Sequence, residues 1–282
     1  MITHEAGVAY GPWRAPTNIA AHAVGGIHHD ETARALGMRG GTVAGSIHLE
    51  QFPPLLEHVF GPKWWRSGGL SLWFLTPTLH GEPVRCAARL CAGARTEIWM
   101  ETEAGARVME GTASLGPDPD SALRRRLAEV KPATDLRLLA GARSGDTGAA
   151  GPVRVPAADI DGHLPVITER LPEYETPTRF GGRVVPFNRL VDLFRTVEPS
   201  MVQVQGPFVG LYGAIELQFT AGPILADRDY AVEGRVLALG DSPRTETIWY
   251  EATLSEDGRE VASFLHMSRL LKASSPLWAA PA

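Results

Sequence analysis

Arg95-Thr96-Glu97-Ile98-Trp99-Met100-Glu101 recurs in the second half of the chain as Arg244-Thr245-Glu246, one added residue (Thr247), then Ile248-Trp249-Tyr250-Glu251. Each run leads into a glycine turn, Ala104-Gly105 in the first case and Asp257-Gly258 in the second. Further matches lie outward from this pair. Leu70, Leu72 and Phe74 alternate as Ile215, Leu217 and Phe219 do. Gly61-Pro62 precedes the first set and Gly206-Pro207 the second, and Gly40-Gly41 corresponds to Gly181-Gly182. All the matches keep one order, and their separation grows slowly along the chain. Loop insertions produce that drift, whereas coincidence would scatter the offsets. The chain therefore reads as one unit used twice.

Within each copy a helix follows the double glycine. In the second copy Phe187, Leu190, Val191 and Phe194 fall at i, i+3, i+4 and i+7, which is one apolar helical face, and Pro186 suits a first turn. In the first copy Leu49, Phe52, Leu56 and Val59 mark a similar face between Ser46 and Phe60. Pro53-Pro54 is expected to break or kink it, since proline lacks the amide and clashes with the preceding turn. Alternating strands then follow: GLSLWFL, VRCAARLCAG, TEIWMET and RVMEGTASL, joined by turns at His80-Gly81-Glu82-Pro83 and Ala104-Gly105.

A helix that follows a double glycine and is then wrapped by an antiparallel meander resembles the hot-dog fold. Two copies resemble the double hot-dog arrangement: an α+β chain with two antiparallel sheets, each wrapped around a central helix. The expected divisions are residues 1–116 for the first unit, 117–160 for a helix and linker, and 161–282 for the second unit. In the joining segment Asp118-Pro119 reads as a helix start leading into Ser121 to Lys131. The stretch GARSGDTGAAGPVRVPAAD, rich in Gly, Ala and Pro, reads as a linker crossing the surface.

Composition excludes several classes. The chain has 282 residues, 44% hydrophobic and 21% charged, enough to bury a sizeable core. Its formal charge of −5 offers no electrostatic footprint for nucleic acid or an anionic membrane. Cys86 and Cys91 sit at an odd spacing in a stretch read as strand, so they point to opposite faces and do not bridge each other. With no signal-like N-terminus and no apolar run of the roughly 18 residues a membrane helix needs, a cytoplasmic protein is expected. No Cys/His cluster has metal-ligand spacing, and no Walker loop, dinucleotide fingerprint or Gly-x-Ser-x-Gly elbow is present, so neither a metal nor a cofactor is expected.

The stretch Ile27-His28-His29-Asp30-Glu31-Thr32-Ala33-Arg34-Ala35-Leu36-Gly37-Met38, continuing through Gly40-Gly41-Thr42-Val43-Ala44-Gly45, resembles the signature of the MaoC-like, or hydratase-2, family of acyl-thioester hydratases and dehydratases. The resemblance puts His28 on the family's catalytic histidine and Asp30 on the acidic residue two places later. It puts Gly45 on the glycine near the central-helix N-terminus. The family's catalytic Asp falls at Ala23, and its Asn-Pro pair at Gly25-Gly26. The resemblance implies an acyl-CoA or acyl-carrier-protein thioester as substrate. It implies His28 as general base or acid, and Gly45-Ser46 amides for the enolate-like thioester oxygen, in a monomer or a homodimer.

Ala23 leaves the histidine without its carboxylate partner. Groups that stand near enough in sequence to substitute are His22, His29, His48 and Glu50. His48 and Glu50 lie two apart at the start of the first central helix, so they do not share one face. With the dyad broken, a diverged lyase, isomerase or cyclase reaction on a related acyl substrate stays open. An acid on that helix, Glu50, or else His48, would suit a hot-dog thioester hydrolase, and loss of the dyad would suit a non-catalytic acyl-binding protein. Each residue has a plainer reading beside this: Asp30 as a helix N-cap, His29 and Glu50 as solvated side chains, His48 as a packed or hydrogen-bonded core residue. The second copy holds nothing like the His28 run. Its only histidine among the expected strands is His266, and Asn188 and Arg189 open its helix.

Overall fold

The repeated runs of alternating residues become paired strands. The computed structural model describes residues 1–90, 92–133, 135–177 and 179–272. In chain order the strands are β1 (Thr3–Glu5), β2 (Val8–Tyr10), β3 (Gly68–Phe74), β4 (Val84–Arg89), β5 (Arg95–Thr102), β6 (Arg107–Leu115), β7 (Thr147–Val153), β8 (Phe208–Phe219), β9 (Tyr230–Asp241), β10 (Thr245–Glu256) and β11 (Arg259–Lys272). They form one 11-stranded sheet in the order β1-β2-β4-β5-β6-β3-β8-β11-β10-β9-β7. The repeated run forms β5 in the first copy and β10 in the second. The added Thr247 pairs regularly with Gly240, and the β10–β9 register slips further on, where Leu237 of β9 stands unpaired opposite Trp249 and Tyr250.

The copies join at β3 and β8, antiparallel, with Leu70 opposite Leu217, Ser71 opposite Glu216 and Leu72 opposite Ile215. Leu70 and Leu72 correspond in the repeat to Ile215 and Leu217. Each residue therefore faces the counterpart of its neighbour about a local two-fold at Ser71 and Glu216. That is how an isologous dimer pairs, here within one chain.

A helix lies in the hollow of each half-sheet. The second, Phe187–Arg195, buries Phe187, Leu190, Val191 and Phe194, with Phe194 stacked on Phe264 at 5.0 Å between ring centroids. Burial of each such side chain contributes about 1.5–3 kcal/mol. The first runs as Gly45–His48, a 3-10 turn at Leu49–Gln51, then Phe52–Phe60. The prolines do not break it: Pro53 and Pro54 occupy the first turn of the last segment, where the missing amides have no intrahelical partner to lose. The 3-10 turn before them absorbs the change.

Between the copies a helix forms at Ala122–Ala128, shorter than the expected Ser121 to Lys131. Its N-cap is Ser121, whose hydroxyl accepts the Arg124 amide at 3.2 Å, and not Asp118. Part of the expected linker is also ordered differently. Thr147–Val153 is the edge strand β7, paired with β9, a position that needs little side-chain packing and so tolerates its Gly and Pro. Cys86 is buried in β4, which ends at Arg89, and burial pushes its thiol up to about 12. Cys91 lies outside the described residues, as does the question of which face it occupies. Among the described residues no helix is long and apolar enough to cross a membrane.

Candidate functional site

A cavity of about 600 Å³ lies between the copies, beside the start of the first central helix and the end of the second. His28, Thr42, Gly45, His48 and Phe74 line it from the first copy. Arg195, Glu198, Tyr212, Tyr250 and Ser268 line it from the second.

The loop carrying His28 is pinned to the glycine-rich turn ahead of the helix. Thr42 donates its amide to the Ile27 carbonyl at 2.9 Å, and Asn18 Nδ2 donates to the His28 carbonyl at 2.8 Å. Gly41 packs against that same carbonyl so closely that a Cβ would stand 2.3 Å from the oxygen, which explains why glycine serves here. The His28 Nδ1 is 2.7 Å from the Thr42 carbonyl. A carbonyl can only accept, so Nδ1 carries the proton and Nε2 is left with its lone pair. The half-buried imidazole is thus held in a tautomer suited to a base.

His48, one turn into the helix, is buried, with Nε2 2.7 Å from Thr78 Oγ1 and no partner for Nδ1. Burial pushes its pKa down to about 4, so it is neutral at pH 7. At Gly45 a Cβ would stand 2.7 Å from the Phe74 ring, so the backbone can approach the cavity wall only without a side chain. Among the described residues no acceptor takes the Gly45 or Ser46 amide. These are first-turn helix amides, with the positive end of the peptide dipoles behind them.

The remaining expected residues lie elsewhere. Ser46 turns its side chain away from the cavity, and its hydroxyl accepts from Asn188 Nδ2 at 2.9 Å, tying the two central helices together. Asp30 is exposed and does not line the cavity. It is the first residue of the helix Asp30–Ala35, with His29 as its N-cap residue, so it is not the cap itself. Its carboxylate accepts the Gly41 amide at 2.7 Å and Arg34 Nη2 at 2.9 Å. The Gly41 amide, with help from Arg34, holds its pKa below the usual carboxylate range. His29 is half-buried rather than solvated, with Nδ1 3.3 Å from Thr32 Oγ1. His22 and Ala23 are exposed and away from the cavity wall.

Glu50 overturns its solvated reading. It is fully buried, accepting from Thr168 N at 3.0 Å and lying 2.5 Å from His163 Nε2. Burial raises its pKa, and it does not line the cavity. The helical turn sends His48 to one side and Glu50 to the other, against the segment 157–168.

The second copy's wall was not anticipated. Arg195 donates through Nε and Nη2 to the two Glu198 oxygens, each at 2.8 Å, and through Nη1 to the Tyr212 hydroxyl at 2.6 Å. Tyr250 donates to Glu198 Oε1 at 2.7 Å. The equivalent region at the start of the second helix is filled: Phe187 packs on Trp64 and Phe219 at centroid distances of 6.0 Å each. One copy thus has an open cavity at its helix start and the other an aromatic core.

No family model matches the sequence, and none of the curated proteins does. Solved structures do. A structure described as a MaoC domain dehydratase from Chloroflexus aurantiacus J-10-fl aligns with a TM-score of 0.61 at 12% identity, covering 93% of each chain. A Mycobacterium tuberculosis protein with a double hotdog fold aligns at 0.57 and 11% identity, covering 93% of this chain and 94% of that one. The dehydratase domain of PpsC from Mycobacterium tuberculosis, in complex with C12:1-CoA, aligns at 0.51 and 10% identity, covering 96% and 97%. The chain is therefore a double hot-dog protein. Within that class it shares its fold over nearly full length with MaoC-like dehydratases.

Proposed function

We propose that the protein hydrates 2-enoyl thioesters, or dehydrates 3-hydroxyacyl thioesters, of coenzyme A or a carrier protein. The observation that carries this reading is His28 on the cavity wall, with its Nδ1 proton committed to the Thr42 carbonyl and Nε2 free as a base. In hydration, Nε2 takes a proton from water as the water oxygen bonds to Cβ, and the pair displaced from the double bond moves to the thioester oxygen. The Gly45 and Ser46 amides stabilise that enolate-like oxygen. The imidazolium then returns the proton to Cα, and the enolate collapses to the thioester. His48 lines the same wall and stays neutral at pH 7, so it adds no charge beside the base. The acyl-CoA complex of a similarly folded dehydratase domain supports an acyl thioester as the substrate class.

The test is the loss of enoyl-thioester absorbance over a panel of 2-enoyl-CoA and carrier-bound esters. Wild type is expected to turn over at least one, and His28→Ala to lose about 10²- to 10⁴-fold in kcat, the range of general acid–base assistance. Free-thiol release without hydration would move the reaction to hydrolysis. No turnover of any ester would end the hydratase reading.

A further inference from the structure

An unbranched hydrocarbon chain has no use for the polar wall that the second copy presents to the cavity. The charges of Arg195 and Glu198 cancel, with Arg195 donating to the Tyr212 hydroxyl and Glu198 accepting from Tyr250. Behind them His266 is fully buried, with Nδ1 2.9 Å from the Ala214 carbonyl and Nε2 2.8 Å from Ser268 Oγ. The carbonyl only accepts, so Nδ1 carries the proton and Nε2 accepts the hydrogen of Ser268.

Two consequences follow from proton counting. The Ser268 hydroxyl has spent its hydrogen, so on the cavity wall it can act only as an acceptor. The Tyr212 oxygen already accepts from Arg195, while its own proton has no acceptor among the described residues. A guanidinium donating to a phenol oxygen makes that proton a better donor. Tyr212 and Ser268 are direct partners across β8 and β11, which puts their side chains next to each other on one face. A donor beside an acceptor matches a hydroxyl group, which is both. A ketone lacks the donor, and a carboxylate meets no net positive charge.

We propose that Tyr212 and Ser268 form a subsite for a hydroxyl on the acyl chain, so that the substrates are hydroxylated acyl thioesters. The proposal rests on the acyl-thioester reading above. The hydroxyl is not the one that hydration places on C3, because that carbon reacts at His28 on the first copy's wall. Arg195, Glu198 and His266 are positioning residues: they fix which of the two hydroxyls donates and which accepts.

The experiment is calorimetric titration with saturated, non-reacting acyl-CoA esters of one chain length, bare or carrying one hydroxyl at successive positions beyond C3. One position is expected to bind about tenfold tighter than the bare ester, the worth of a matched donor–acceptor pair. A keto group at that position loses most of the gain. Tyr212→Phe and Ser268→Ala are each expected to bring the affinity ratio of hydroxylated to bare ester close to one. Equal affinities at every position in wild type would overturn the subsite and leave the acyl-thioester reading standing. An undiminished ratio in a folded variant overturns it as well, with Ser268→Ala carrying the comparison if Tyr212→Phe does not fold. Failure of every ester to bind overturns both.

Discussion

Two histidines, His48 and His266, are neutral because they are buried, and this gives the protein a distinctive acid response. Burial pushes each down to about 4 from an ordinary 6.5. The unfolded chain takes up these protons as pH falls through 6.5, while the folded chain refuses them until about 4. Stability is therefore lost as pH drops across that window and is fully present above it. Between pH 7 and pH 5 each histidine withdraws about 2 kcal/mol. Urea midpoints at the two pH values should show a clear drop, and His266→Gln should shrink it, because the amide can still donate to Ala214 O and accept from Ser268 without titrating. An equal drop in the variant would mean that His266 is protonated in the native state. The motif residues around His28 were readable because they lie close together in the chain. Glu50 was not: the sequence shows it two places from His48, but only the packing of residues 157–168 over the helix reveals that it is buried against His163.

At the scale of elements, the site depends on how closely the loop before the first central helix can approach the turn at Gly40-Gly41. A methyl at Gly41 would stand 2.3 Å from the His28 carbonyl and must push the loop outward. Gly41→Ala is expected to keep the sheet, at some cost in melting temperature, and, if His28 is the proposed base, to lower kcat by about 10²-fold, the size of effect that an ångström's misplacement can have. Steady-state rates beside thermal melts check this; a normal kcat would mean the loop relaxes without moving His28. The helices themselves were legible from apolar spacing, since burying one face gives one period. The 3-10 turn at Leu49–Gln51 was not, because Pro53-Pro54 signals a break and only the surrounding core decides whether the chain continues past it.

For the whole molecule, β3 and β8 make the two half-sheets continuous, and the buried Glu216 at their junction is tied to the joining segment through Ser121 and Arg124. Both copies should therefore unfold in one calorimetric transition. Glu216→Ala strands the buried Ser121 hydroxyl and should lower stability by about 1–3 kcal/mol. Two separated transitions in wild type would show that the copies are energetically independent.

The duplication, the α+β class and the central-helix faces were determined by the sequence alone, because period and repetition are local properties that survive without coordinates. The segment around His28 and Gly45 was determined the same way, its residues being neighbours in the chain. Only the tertiary structure decided that β7 forms, that Asp30 and Glu50 stay off the cavity wall, and that Arg195, Glu198, Tyr212, Tyr250 and Ser268 meet across it. Those five all belong to the second copy, from the end of one helix, the start of the short helix Glu198–Met201 and three strands, and what brings them together is strand register and the packing of the helices against that half-sheet. No spacing along the chain encodes either.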